Sequence, residues 1–384
     1  VEDLGLTDQL CFRETRSGFF GDGKLVSMAG IADFVRFPFL TLWQKFRLGI
    51  GILLSTRMGN VSKLDRIYVR EWLTRMFGRR VYERIWDPLL RSKLGAAREH
   101  TSAAFIWATI KRLYGARQGS SKVEQMGHVR GGYARVLGAL AEALEQAGVE
   151  LRLGERADRV ATAATGAAVT LATSAREETF ERVVLTVPAP EITIFVEVDE
   201  PNQYWDHLGG VSYLGVVCML LVLKRSLSPY YVINLLDRSL PFTGIIEATN
   251  VVDPVNVGGK HLVYLPKYAV QGDPIWNRSD ADIVREFTGA LQRVFGDLEQ
   301  EHILHAVVFR RRYVQPLQDV DYLRRLVGYR TPIDGVFVVN TSMVYNSTIN
   351  NDAIVRLAKD AAATVAIDDR SARPGQLATQ GESA

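Results

Sequence analysis

Residues 309–318, FRRRYVQPLQ, set three arginines directly before Tyr313 and Gln315. Two readings suit such a stretch. It is an edge strand with solvated arginines, or a strand on which Tyr313 and Gln315 line a cavity beside a bound molecule. A second stretch, GVFVVNTSMVYNSTINNDAIVRLAKDAA, leads from a short buried strand (336–339) through a polar loop into a helix that opens on Asn350, Asn351 and Asp352. A helix start directs N–H groups and positive dipole charge outward, which suits a group that acquires negative charge. The same residues are also ordinary helix caps. Asp352 counts against the ligand reading, since its own carboxylate competes for the dipole.

Other chemistries find no support. The six histidines, at 100, 128, 207, 261, 302 and 305, show no metal-ligand spacing. His302 and His305, three apart near a strand, fall on opposite faces. No G-x-S-x-G, H-E-x-x-H or P-loop occurs. Cys11 and Cys218 lie far apart, with no disulfide or metal framework; one is expected on a buried strand and one in a loop, in a reducing compartment. Arginines at 66, 70, 75, 79, 80, 84 and 91 read as a solvated helix face or a basic surface for an acidic lipid or nucleotide. Phe34, Phe37, Phe39, Trp43 and Phe46 read as core, as the mouth of an apolar channel, or as a face that touches a membrane.

The element that must position any such site is the run 131–160, GGYARVLGALAEALEQAGVELRLGERADRV. It reads as a glycine turn, an amphipathic helix closed by Gly148, and a short strand at 149–153. Strands follow at 169–171 and 182–187, the latter closing on Pro188 and Pro190. Upstream, residues 10–30 form a hairpin about Gly21-Asp22-Gly23. Between it and Gly127 the pattern is helical: 42–54 after Pro38 and Thr41, 65–77, 80–94 with Pro88 bending or ending the helix, and 102–114. From Tyr213 the chain is strand-rich: VVCMLLVL, YYVINLL, FTGIIEAT and HLVYLP. The first is so apolar that cover on both faces is expected. A helix at 280–295 opens on Ser279, a strand follows at 302–309, and the last helix spans 352–365.

The chain has 384 residues and a formal charge of +3, too small to argue for nucleic acid. Its length favours two domains. The apolar stretch 37–54 is interrupted by Gln44, Lys45 and Arg47 and so does not span a membrane. The polar tail 368–384 is expected to be disordered.

Taken as a series, RETRSGFFGDGKL, EWLTRMFGRRVYERIWDPLLRSKLG, GGYARVLGALAEAL, GVVCMLLVLKRSLSPYYVIN, PFTGIIEATN and NTSMVYNSTINNDAIVRLAKDAA resemble the FAD-dependent amine oxidase, protoporphyrinogen oxidase and phytoene desaturase superfamily, over about residues 1 to 366. The resemblance implies an α/β fold, with a Rossmann-like FAD-binding domain interleaved with an α+β substrate domain that carries a helical insertion. The divisions it implies are 1–126 (substrate domain, hairpin and helical insertion), 127–195 (FAD domain, middle part), 196–325 (substrate domain, mixed sheet), 326–367 (FAD domain, last part) and the tail. It implies FAD as cofactor. By analogy Ala157 meets the adenine through its backbone, and Thr186, Val187 and Pro188 lie near the pyrophosphate. Asn340 and Thr341 end a strand at the cofactor, and Asn350, Asn351 and Asp352 reach the isoalloxazine. The implied activity is hydride abstraction from a largely apolar or nucleotide- or lipid-linked small molecule, in the cytoplasm. A peripheral membrane contact and the oligomeric state are left open. No catalytic base is named; Tyr313 and Gln315 are the residues expected to face substrate.

Two departures accompany the resemblance. No strand, G-x-G-x-x-G and helix unit precedes residue 131, so a missing first βαβ unit, a truncated chain and weak FAD binding are expected. The glycine-rich segment usual before the last helix is replaced by Asn346-Ser347-Thr348-Ile349. The alternatives are a flavin isomerase similar to UDP-galactopyranose mutase and a non-catalytic protein that no longer binds FAD.

Overall fold

In the computed structural model, residues 1–28, 30–115, 125–163, 168–198, 202–345 and 349–366 are described. The expected tail and Asn346, Ser347 and Thr348 lie outside them. Packing divides the chain into two units, Val1–Leu151 with Tyr213–Val320, and Arg152–Ser212 with Asp321–Ala384.

The first unit opens on β1 (Leu10–Glu14), β2 (Ser17–Gly21) and β3 (Lys24–Ser27). β2 and β3 form the expected hairpin. Asp22 (φ 48°) and Gly23 (φ 71°) both take the left-handed conformation that matches the twist of a two-residue turn. β1 stands outside this hairpin and pairs with β4 (Gln125–Val129). Cys11 is therefore on a strand, as is Cys218, and neither is in a loop.

Helices fill the interval. They are α1 (Ile31–Arg36), α2 (Leu42–Thr56), α3 (Val61–Asp65), α4 (Val69–Phe77), α5 (Arg79–Val81), α6 (Asp87–Leu94) and α7 (Ala103–Gly115). Thr41 and Gln44 close a reciprocal capping box at the start of α2. The helix expected over 65–77 begins only at Val69, as α4, and Asp65 ends α3. Val69 N–H donates to Thr101 O (2.9 Å) and Ala103 N–H to Ile67 O (2.8 Å), and these bonds hold residues 66–68 out of the helix. Pro88 does not break the helix at 80–94. A π turn, Tyr82–Trp86, comes first, and Pro88 then occupies the first turn of α6, where no N–H is required of it. Phe37, Leu73, Phe77, Leu94 and Trp107 lead the buried core of this helical part. α8 (Gly132–Gln146) packs through Ala139 against Leu6 and Val129, while Tyr133 and Leu137 stay exposed.

The body of this unit is a seven-stranded sheet. Its strands are β9 (Tyr213–Leu223), β10 (Val232–Leu235), β11 (Gly244–Glu247), β12 (His261–Ala269) and β13 (Ile303–Pro316), with the hairpin β2–β3 at one edge. The order is β13-β9-β12-β11-β10-β2-β3, antiparallel except for β10 beside β2. α11 (Asp280–Val294), capped by Ser279, contributes Ile283, Phe287 and Leu291 to the core beneath the sheet. Val217, Met219, Leu221 and Leu223 of β9 are fully buried with them. Each such side chain contributes about 1.5–3 kcal/mol relative to exposure. The opposite face of β9, with Val216, Cys218, Leu220 and Val222, is only half-buried, so the apolar run does not have equal cover on both faces. β13 is longer than expected and carries Tyr313 and Gln315. His302 lies before it, in a 3₁₀ turn.

In the second unit β5 (Ala157–Thr162), β6 (Val169–Thr173) and β7 (Glu177–Phe180) form an antiparallel meander. β8 (Val183–Leu185) pairs in parallel with β14 (Val336–Val338). α9 (Ala189–Phe195), α10 (Gln203–Gly209), the short α12 (Tyr322–Arg325) and α13 (Asn351–Ala366) complete it. The strand expected at 149–153 is absent. These residues pair with no strand, and Leu153 is 90% exposed.

Gly215, in the centre of the sheet, tests the packing most sharply. A Cβ there would stand 2.5 Å from Trp276 Cη2 and 2.6 Å from Arg311 O. Neither can yield easily, because Trp276 is tied by its Nε1–H to Val270 O (2.7 Å) and Arg311 O is backbone. Gly215→Ala should therefore cost about 1–3 kcal/mol, read as a lower thermal midpoint; an unchanged midpoint would mean that the sheet can open at this point.

Candidate functional site

The half-buried face of the sheet gathers the groups best suited to hold a small molecule. Cys218 is flanked across the ladder by Pro266 and by Phe309. Tyr264 and Tyr268, each two residues from Pro266, share its face because side chains alternate along a strand. Burial pushes the Cys218 thiol up to about 11 and raises both phenols, and the nearby thiol adds to their shift. All three groups are therefore neutral at ordinary pH. Around Cys218 the face is apolar and aromatic, with protonated donors and no anionic base among these three, and Arg311, paired with Val216, stands at its edge.

Tyr313 and Gln315 sit at one end of β13, beyond a bulge. Arg311 pairs with Val216 and Gln315 with Leu214, so Arg312, Tyr313 and Val314 stand opposite Gly215 alone. Trp276, packed against that glycine, explains the buckle, and Arg312 lies over its ring at 5.0 Å. The bulge re-aims Tyr313, which meets Tyr213 edge to face at 5.6 Å. Gln315 Nε2 donates to Pro316 O (3.2 Å). Both residues are half-buried. Sequence reading missed Tyr213, Cys218, Tyr264 and Tyr268. Their only signal was strict alternation within β9 and β12, which apolar residues on both faces concealed.

Of the helical arginines, Arg79 pairs with Glu83 (2.7 Å), Arg84 with Asp22 (3.1 Å) and Arg91 with Asp87 (3.5 Å). A cleft of about 390 Å³ lies beside Arg84, lined also by Phe39, Leu236, Asp237 and Arg238. Arg238 is bound to Asp87 at 2.8 Å. Charges already matched in this way leave little for a ligand, and the cleft is set aside. Of the aromatic stripe, Phe37 and Phe39 are core, whereas Trp43 and Phe46 are exposed.

In the second unit Thr186, Val187, Pro188, Asn340 and Thr341 collect where the parallel strands β8 and β14 end. Ligands of open α/β sheets bind beyond such carboxyl ends. Asn340, 5% exposed, ties the two ends together: its Nδ2–H donates to Val187 O (3.1 Å), and its Oδ1 accepts from Ser342 N (3.0 Å) and Ser342 Oγ (2.6 Å). Ser342 O in turn accepts from Tyr322 Oη (2.7 Å). Thr341 follows, half-buried. Thr186 and Val187 are exposed, and Pro188 begins α9. Asn350 caps α13, taking the Ala353 N–H at 2.8 Å. Asn351 and Asp352 are exposed in its first turn, with Asp352 paired to Arg356 (2.8 Å). Ala157 opens β5 opposite Thr173, and the register slips at once, between Ala157 and Arg159. A small residue beside a bulge leaves its backbone open to approach.

A family model of flavin-containing amine oxidoreductases matches residues 2–365. The chain belongs to this family. As a flavin amine oxidoreductase it is an FAD-dependent oxidoreductase that acts on a small molecule. Solved structures share its α/β fold at low identity. A protoporphyrinogen-oxidase-like protein from Exiguobacterium sp. 255-15 is 15% identical, with a TM-score of 0.68 over 95% of this chain and 83% of that one. Reduced UDP-galactopyranose mutase is 13% identical, with a TM-score of 0.70 over 95% and 82%. Putrescine oxidase bound to putrescine is 16% identical, with a TM-score of 0.66 over 95% and 84%. No curated protein matches the sequence. Among the described residues no helix is long and apolar enough to cross a membrane, and no cluster of His, Cys, Asp and Glu could hold a metal.

Of the groups that FAD needs, an irregular backbone edge is present at Ala157, and the start of α13 offers positive dipole charge with the Asp352 carboxylate beside it. The phosphates are less well served, since Thr186 offers one hydroxyl and Pro188 has no N–H.

The buried thiol gives a direct check on the sheet face. Alkylation of Cys218, followed by mass spectrometry of its peptide, should be negligible at pH 7 and still rising at pH 10, because the thiolate forms only near pH 11. Full modification at neutral pH would mean that the face is open to water.

Proposed function

We propose that this flavin amine oxidoreductase removes a hydride from a C–H bond, such as one beside an amine nitrogen, of a largely apolar small molecule lying on the half-buried sheet face. Bound FAD supplies the two-electron acceptor. The observation that carries the reading is the cluster of Cys218, Tyr264 and Tyr268 beside Phe309: three polar groups held neutral on a largely apolar surface. Such a surface excludes water and orients an apolar molecule without charge. In this reading Tyr313 and Gln315, set off by the bulge, position the reacting end of the substrate.

For the cofactor, Ala157 meets the adenine through its backbone. Thr186, Val187 and Pro188 approach the pyrophosphate. Asn340 and Thr341 fix the strand end, and the α13 start at Asn350, Asn351 and Asp352 faces the isoalloxazine. The segments 127–195 and 326–367 then form FAD-domain parts, and 1–126 and 196–325 the substrate domain with its helical insertion. We also propose that a further parallel strand with a glycine-rich turn belongs beside β8 and β14. Parallel strands are ordinarily covered on both faces, yet Val184 of β8 is 42% exposed. That strand would bring the phosphate donors that Thr186 alone does not supply. If so, a longer native chain retains FAD through gel filtration and this 384-residue span does not; stoichiometric retention by the span alone removes the need for the strand.

The test of activity uses FAD-loaded, full-length protein without oxygen. Apolar amines and related C–H donors should bleach the flavin, and the Tyr313→Phe, Gln315→Ala pair should slow bleaching by about tenfold or more. An unchanged rate in the pair would remove both residues from the site. Turnover of a UDP-sugar with no flow of electrons to an acceptor would overturn the oxidase reading in favour of the isomerase.

Asn340→Ala leaves Val187 O and both Ser342 donors without a partner. It should cost about 1–3 kcal/mol of stability and also lower FAD retention. Stability loss with FAD binding intact would confine Asn340 to a structural role.

A further inference from the structure

α2 is apolar on both of its faces, which is unusual for a surface helix. Its inner face, with Leu48, Gly51 and Ser55, packs into the helical core, and Trp107 Nε1–H reaches Ser55 O at 2.9 Å. Its outer face carries Leu42, Trp43, Phe46, Ile50, Leu53 and Leu54, between 39% (Leu53) and 75% (Leu42) exposed. At 100° per residue these six lie on one arc about 120° wide. Trp43 and Phe46 stack on each other at 5.6 Å and so present one aromatic block to the outside. Lys45, buried, donates its Nζ–H to Val35 O (2.5 Å) and fixes the end of α1 beside the start of α2. Val35, 56% exposed, adds to the same apolar region.

The charge around this face is one-sided. Residues 34–64 hold five cations, Arg36, Lys45, Arg47, Arg57 and Lys63, and no Asp or Glu. Arg36, Arg47, Arg57 and Lys63 are exposed and join no ion pair among the described residues. Elsewhere in the helical part Arg79 is matched by Glu83 and Arg84 by Asp22, while Arg70, Arg75 and Arg80 also join no ion pair among the described residues.

From this we infer that the outer face of α2 docks on an anionic phospholipid surface, with Trp43 and Phe46 at the level of the headgroups and the four exposed cations against lipid phosphates. Aromatic and aliphatic residues on one face with cations beside them are what holds a helix in the plane of a membrane. A second copy of the chain fits less well. A two-fold contact through this patch would set the cations of residues 34–64 against their own copies, and that stretch holds no acid to offset them.

The test is cosedimentation of the full-length protein with vesicles of pure phosphatidylcholine and of equimolar phosphatidylcholine and phosphatidylglycerol, at low and high salt. The protein should pellet with the anionic vesicles only, and salt should weaken binding. Trp43→Ser with Phe46→Ser should lower affinity by about tenfold or more. Arg36→Gln, Arg57→Gln and Lys63→Gln together should abolish the preference for phosphatidylglycerol. These positions are at the surface, and an unchanged thermal midpoint verifies the fold of each variant. Wild-type binding by the aromatic double variant, or equal binding to neutral vesicles, would overturn the inference. So would a dimer in sedimentation velocity that the aromatic double variant disperses while no vesicle is bound.

Discussion

The packing of β9 is the constraint on which the larger unit depends. It is the strand that both β12 and β13 use, along nearly its whole length. One face is sealed by Phe287 and Leu291 of α11, and that seal supplies the hydrophobic energy. With stability provided from one side, the other face can remain half-open and hold Cys218 among aromatic rings. Where β9 narrows to Gly215, Trp276 moves in, β13 buckles, and Tyr313 is turned toward Tyr213. The half-open face and its edge thus follow from one strand and one glycine.

The smaller unit solves a different problem. Two short parallel strands cannot hold their ends in register by ladder bonds alone, because each has only three residues. Asn340 does so with one amide, donating across to Val187 O and accepting from Ser342. A buried amide satisfied on both sides is rigid, and rigidity at strand ends is what a cofactor site requires. The family match gives this its meaning: flavin enzymes leave the electron chemistry to the cofactor, and the chain has to position it.

How much was legible in the sequence depended on how local the cause was. The β2–β3 turn, the Thr41 capping box and the Ser279 cap are dictated by residues within four positions, and all appear where expected. The break at 66–68 was not legible, since it depends on backbone bonds to residues 101 and 103. The bulge at 312–314 was hidden for the same reason: Trp276 causes it from another part of the chain. The difference between the two faces of β9 was invisible because both are apolar. The 149–153 segment has strand-forming residues but no partner strand, and propensity without a ladder does not make a strand. Of the candidate site, Asn340, Tyr313 and Gln315 were legible as residue types in telling places, whereas the sheet face that gives Tyr313 and Gln315 a setting was not.

Hydrogen exchange of the full-length protein with and without FAD tests the central claim most directly. The account predicts slower exchange on FAD addition in peptides spanning 157–162, 183–190, 336–345 and 350–354, which hold the strand ends, Asn340 and the α13 start. It predicts no change in α11, whose inward residues are already sealed against the sheet. Exchange that is unaffected in those four peptides, or slowed only elsewhere, would contradict it.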